Sequence, residues 1–150
     1  MSALTFILVV LVAFIAGVAS VVDERQFHRP LVACTLMGFA LGDPTTGIML
    51  GGALELIALG WMNVGAAMAP DSALASTISA IVVIQGHQDI TTGIAIAVPL
   101  AAAGQVLTIF VRTITVFFQH QADNFAKTAN FRGIELMHIS GMALQGLRVA

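Results

Sequence analysis

Glu55, Trp61, Asn63 and Asp71 fall close together in the stretch GFALGDPTTGIMLGGALELIALGWMNVGAAMAPDSALAS, residues 38–76. The residues around them are apolar or small, and Gly and Pro interrupt them repeatedly. Carboxylate oxygens accept hydrogen bonds, and an asparagine amide both donates and accepts them. An indole offers a flat apolar face on which the C–H side of a sugar ring can lie. Trp, Asn, Glu and Asp together therefore suit a carbohydrate better than an ion or a lipid. A carboxylate at membrane depth costs several kcal/mol unless it is paired or hydrated, so Glu55 and Asp71 are candidate site residues by default.

Each of these residues also has a plainer reading. Glu55 can form an ion pair with Arg29 or Arg112, although ligand contact is favoured. Asp71 follows Pro70 and precedes Ser72, which suits a helix N-cap. An aspartate at a helix start inside a membrane can also face a polar ligand. Gln105, a lone amide in an apolar helix, either joins the site or bonds a neighbouring helix. Gly47 and Gly51 recur on the helix face that carries Glu55, and Gly38 and Gly42 repeat the spacing one helix earlier. Such glycines serve close helix packing.

Composition sets the environment. Of 150 residues, 58% are hydrophobic and 9% charged, against roughly 25% charged in soluble domains. Mean hydropathy is +0.96. Too little polar surface remains to cover a soluble globule, so a lipid-facing protein is expected. A net charge of −2 gives no basic patch for nucleic acid. Cys34 is the only cysteine, which excludes an intrachain disulfide and a multi-cysteine metal site. His28, His87, His120 and His138 lack ligand spacing, so no metal is expected. No cofactor fingerprint or nucleophile motif appears.

The elements that must position the site are set by the apolar runs. Residues 1–22 should span directly; no Lys or Arg precedes Asp23, so the run reads as a retained membrane helix rather than a signal peptide. Pro30 starts a short helix to Leu41, ended by Gly42-Asp43-Pro44. A second short helix covers 45–59, 60–69 is irregular, and a third runs from Asp71 to about Ile84. Residues 85–89 form a turn. Pro99 is expected to divide the apolar run that starts at Ile90 into a short element and a longer helix reaching about His120. Arg112 then faces protein or snorkels to a headgroup. Residues 119–135 are expected as an interfacial helix or aqueous loop, before a last apolar segment from 134. The fold class is all-α: a polytopic membrane protein with discontinuous or re-entrant helices.

The segments DERQFHRPLVACTLMGFALGD, TTGIMLGGALELIALGWMNVGAAMAPDSALAS and PLAAAGQVLTIFVRTITVFFQH closely resemble the membrane IIC subunit of the mannose-family phosphotransferase system permease. The likeness runs over essentially the whole chain and corresponds to the N-terminal part of that subunit. Residues 1–150 then read as a single membrane-embedded domain, truncated at its C-terminal end and forming about one half of an inverted-repeat transporter fold. The resemblance implies a multi-pass protein of the bacterial inner membrane that binds and translocates a mannose- or glucose-type hexose. It implies a hetero-oligomer with a IID membrane subunit and cytoplasmic IIAB phosphocarriers, with no phosphorylated residue on this chain. The sugar site is carried over to Glu55, Trp61, Asn63 and Asp71, with the loop 65–70, Ala67 included, as its wall and Gln105 beside it. Asp23, His28, Asp43 and Arg112 are assigned structural or gating roles. Two rival readings are an assembly subunit whose polar residues pair internally and an ion-coupled transporter with Glu55 as its proton site.

Overall fold

A computed structural model describes residues 2–22, 25–65 and 68–150. The candidates Asp23 and Ala67 lie outside the described residues. The elements are α1 (Ala3–Val22), α2 (Pro30–Leu41), α3 (Pro44–Ala58), α4 (Ser72–Gln85), α5 (Ile90–Lys127) and α6 (Phe131–Val149). There is no strand element among them.

Local chemistry sets the boundaries of the short helices. Pro30 opens α2, where its missing N–H would have had no helical partner anyway. Gly42 closes it with φ 87°, a left-handed conformation open to glycine at little cost. Asp43 then caps α3, accepting from the Thr46 amide at 3.1 Å and its hydroxyl at 2.6 Å. Asp71 caps α4 through the Leu74 amide at 3.2 Å. These are the ends expected from the sequence, to within a residue or two. At 1.5 Å per residue, α2 and α4 are only about 18 and 21 Å long, short of a ~30 Å hydrocarbon core.

α2 and α3 form a hairpin held by glycines. A Cβ on Gly38 would lie 2.7 Å from the Asp43 carbonyl oxygen, and one on Gly51 would lie 2.9 Å from Leu31 Cα. The close approach leaves no room for a side chain, so packing accounts for both glycines. The core beneath the hairpin joins Met37 and Leu50 to Ala73, Ala80 and Val83 of α4 and to Ala97 and Ala101 of α5.

α5 departs from expectation. It is one helix of 38 residues with Pro99 inside it, not two elements divided there. Proline removes one backbone donor, and neighbouring helices make such a loss tolerable in membrane helices; α4, α3 and α6 all pack against α5. The polar run 119–135 is likewise no separate element. It extends α5 to Lys127, turns at Thr128–Asn130 and starts α6, whose cap is Asn130 accepting from Gly133 at 3.1 Å. Glutamine, alanine and lysine are good helix formers, so polarity alone does not stop the helix.

α1 and α5 are long and apolar enough to cross a membrane, with mean hydropathies of 2.8 and 2.2 over their best windows. Their outward faces carry exposed Leu4, Ile7 and Leu11 on α1 and Val106, Phe110 and Phe117 on α5. α6 lies against both, and Gly17 of α1 meets the backbone of Gln145 and Gly146.

Candidate functional site

The N-termini of α2 and α4, the loop after α3 and one face of α5 surround a cleft of about 890 Å³. That is within the ~300–1,000 Å³ usual for small-molecule sites. Both helix N-termini carry positive dipole ends toward it.

Trp61, Asn63 and Asp71 line this cleft together. Trp61 is half-buried and also packs on the core, so one part of the indole is fixed while another borders the cleft. Asn63 Oδ1 accepts from the Ala69 amide at 2.7 Å. That bond straps the loop across its base and fixes which end of the side chain is acceptor-occupied. Gln105 does not line the cleft; its Nε2 donates to the Met68 carbonyl at 2.7 Å and holds the loop from the α5 side. Its partner is thus a loop carbonyl rather than the neighbouring helix that was the alternative to site contact.

Asp71 is the most heavily held of the four. Beyond capping α4, its Oδ2 meets the Arg148 guanidinium and accepts from Thr108 Oγ1 at 3.3 Å. Arg148 also donates to Thr108 and, at 3.2 Å, to Ser20 Oγ. Both charged side chains are only 2% exposed. This network ties α1, α4, α5 and α6 together at one point. Gly104 makes room for it, since a Cβ there would lie 2.7 Å from Asp71 Cβ.

Glu55 is placed differently. It does not line the cleft but pairs with Arg29, whose Nε donates to Oε1 at 2.6 Å, and its Oε2 accepts from the Leu31 amide at 3.2 Å. Of the two candidate arginines, Arg29 is the partner. Arg29 itself lines the cleft, and Glu55 holds that guanidinium and the first turn of α2 in place. Asp43 sits at the tip of the α2–α3 hairpin, away from the cleft, as a cap. His28 borders the cleft, and its carbonyl accepts from Ser72 Oγ at 3.4 Å, joining the approach to α2 with the start of α4. Arg112 borders the cleft from α5.

Sequence reasoning did not single out Arg148, Thr108, Ser20 or Gln145, all of which border the cleft. One signal was available: a carboxylate at membrane depth requires a cation, and Arg148 is one of only six Lys and Arg residues in the chain. Among the described residues, no three His, Cys, Asp or Glu side chains gather as metal ligands would.

Known proteins share this sequence and this helical arrangement. The family described as the sorbose-specific IIC component of the phosphotransferase system matches residues 3–150. The fructose permease IIC component of Bacillus subtilis (strain 168) is 66% identical over 99% of this chain and 55% of its own length. The mannose-specific EIIC component of Escherichia coli (strain K12) is 64% identical over 98% of this chain and 55% of its own length. A cryo-EM structure of the mannose transporter ManYZ in complex with microcin E492 superposes with a TM-score of 0.96 at 62% identity, covering 99% of this chain and 60% of that one. The chain thus spans about half the length of the curated relatives it matches. At such identity, and with the same helical architecture, the chain belongs to the sorbose-specific IIC component family of the phosphotransferase system.

Proposed function

We propose that this chain contributes a hexose-binding and translocating surface to a phosphotransferase permease. It acts with a IID membrane subunit and cytoplasmic IIAB phosphocarriers in the bacterial inner membrane, crossing it several times. The observation that carries the reading is the convergence of Trp61, Asn63 and Asp71 on one cleft of suitable volume. Trp61 stacks on the sugar ring. The Asn63 amide nitrogen, which makes no hydrogen bond to any described residue, donates to a hydroxyl. Asp71, held by Arg148, Thr108 and the Leu74 amide, fixes the floor on which the sugar rests. Glu55 and Gln105 position Arg29 and the loop rather than touching sugar. His28 and Arg112 border the path, and Asp43 keeps the hairpin formed. Phosphate reaches the sugar from the partner proteins, so this chain carries no phosphorylated intermediate. Hexose binding in membranes that also contain the partner subunit tests the proposal. Trp61→Ala and Asn63→Ala should each weaken it several-fold, and unchanged affinity in both overturns the site.

A second reading has its own support. The pairs Glu55–Arg29 and Asp71–Arg148 satisfy acids and bases internally, as an assembly subunit would require. On that reading, substitutions in either pair alter assembly with the partner subunit and leave hexose affinity untouched.

A further inference from the structure

Gln105, Thr108, Arg112, Thr115 and Gln119 succeed one another along α5 at steps of three and four residues. That spacing puts them on one face, while Val106, Phe110 and Phe117 hold the opposite, exposed apolar face. The last four residues of the polar stripe line the cleft. The stripe therefore extends from the Asp71 network, through Thr108, toward the polar end of α5. Thr108 to Arg112 is one turn, about 6 Å along the axis.

The charges in the cleft do not balance along this stripe. Three guanidiniums line it, from Arg29, Arg112 and Arg148. Arg29 is neutralised by Glu55 and Arg148 by Asp71. Arg112 is exposed and makes no ion pair or hydrogen bond with any described residue. Its neighbours on the stripe, Thr115 and Gln119, are neutral hydrogen-bonding groups. A neutral hexose gives such a cation nothing to compensate. A phosphate does, because a guanidinium fork matches two of its oxygens.

We propose that Arg112 is a phosphomonoester-binding group in the cleft wall, engaging the phosphate of a hexose phosphate whose ring lies toward Trp61 and Asp71. The inference rests on the hexose reading and deepens it: one cleft accepts the neutral sugar and its phosphorylated form. A lipid headgroup carries the same phosphate chemistry, but the residues one turn either side of Arg112 on the stripe, Thr108 and Thr115, are polar and line the cleft with it.

The test uses the full chain with its partner subunit in phosphatidylcholine nanodiscs. Affinities for mannose and mannose 6-phosphate are measured for the parent, Arg112→Gln and Arg112→Lys. Mannose 6-phosphate should bind more tightly than mannose in the parent. The ratio of the two affinities should fall about tenfold in Arg112→Gln and recover in part in Arg112→Lys. A ratio that Arg112→Gln leaves unchanged overturns the inference while mannose binding sustains the site. Binding of neither ligand overturns the hexose reading itself. In a parallel arm with phosphatidic acid nanodiscs, native mass spectrometry counts retained lipid. Retention that depends on Arg112, with no preference for mannose 6-phosphate, assigns the group to lipid and overturns the sugar-phosphate role.

Discussion

Two acid–arginine pairs flank the cleft, and they are built for different ends. Asp71 and Arg148 are buried on the floor, 2% exposed each, and share Thr108, while Arg148 alone also donates to Ser20. Glu55 and Arg29 lie toward the rim, with side chains 20% and 31% exposed. Water reaches the rim pair, so its attraction is screened and its geometry can change at small cost. The floor pair sits where an uncompensated charge is poorly tolerated. The same kind of pairing, a carboxylate with an arginine, thus supplies a fixed anchor for four helices and an adjustable edge around one opening. Proximity of acid to base does not reveal which; burial does.

Substitutions in the two pairs should separate them. The largest effect is expected on the floor. Arg148→Leu leaves the Asp71 carboxylate buried without its cation and should cost about 3–5 kcal/mol, read as loss of folded protein in detergent thermal denaturation. The double variant Asp71→Asn with Arg148→Leu should recover part of that loss, and a purely additive result would show the pair to be uncoupled. Next comes the hairpin beside the rim. Gly51→Val forces a side chain into the backbone of α2 and should cost about 1–3 kcal/mol, measured the same way. At the rim, Arg29→Gln should cost only about 1 kcal/mol of stability. Its larger signature should be a change in hexose affinity, since Arg29 borders the cleft. A rim variant as destabilising as the floor variant would erase the distinction between the pairs.

How much of this was legible in the chain depends on how local the cause is. Gly42, Asp43 and Asp71 act within four residues of themselves, so the ends of α2, α3 and α4 could be read directly. The steric role of Gly38 and Gly51 was evident in their spacing. Pro99 misled because its local penalty is answered by helices from elsewhere in the chain. The Glu55–Arg29 pair was one of two named alternatives, and spacing along the chain could not choose between the arginines. Arg148 was hardest, because it meets Asp71 across a separation of 77 residues. Nothing in the apolar run around it marks it as a partner. Trp61 and Asn63, which both line the cleft, stood out because their residue types are unusual for an apolar stretch, a signal independent of how the helices fold together.

Trp61 is the only tryptophan in the chain, which makes it a reporter placed by the protein itself. The most direct measurement is its emission during a hexose titration of the full chain with its partner subunit, the partner's tryptophans replaced by phenylalanine. The account predicts a saturable change in Trp61 emission whose midpoint matches the binding curve from equilibrium dialysis and moves to weaker affinity in Asn63→Ala. Dialysis that shows hexose bound while Trp61 emission stays flat would contradict it, because the sugar would then lie outside this cleft.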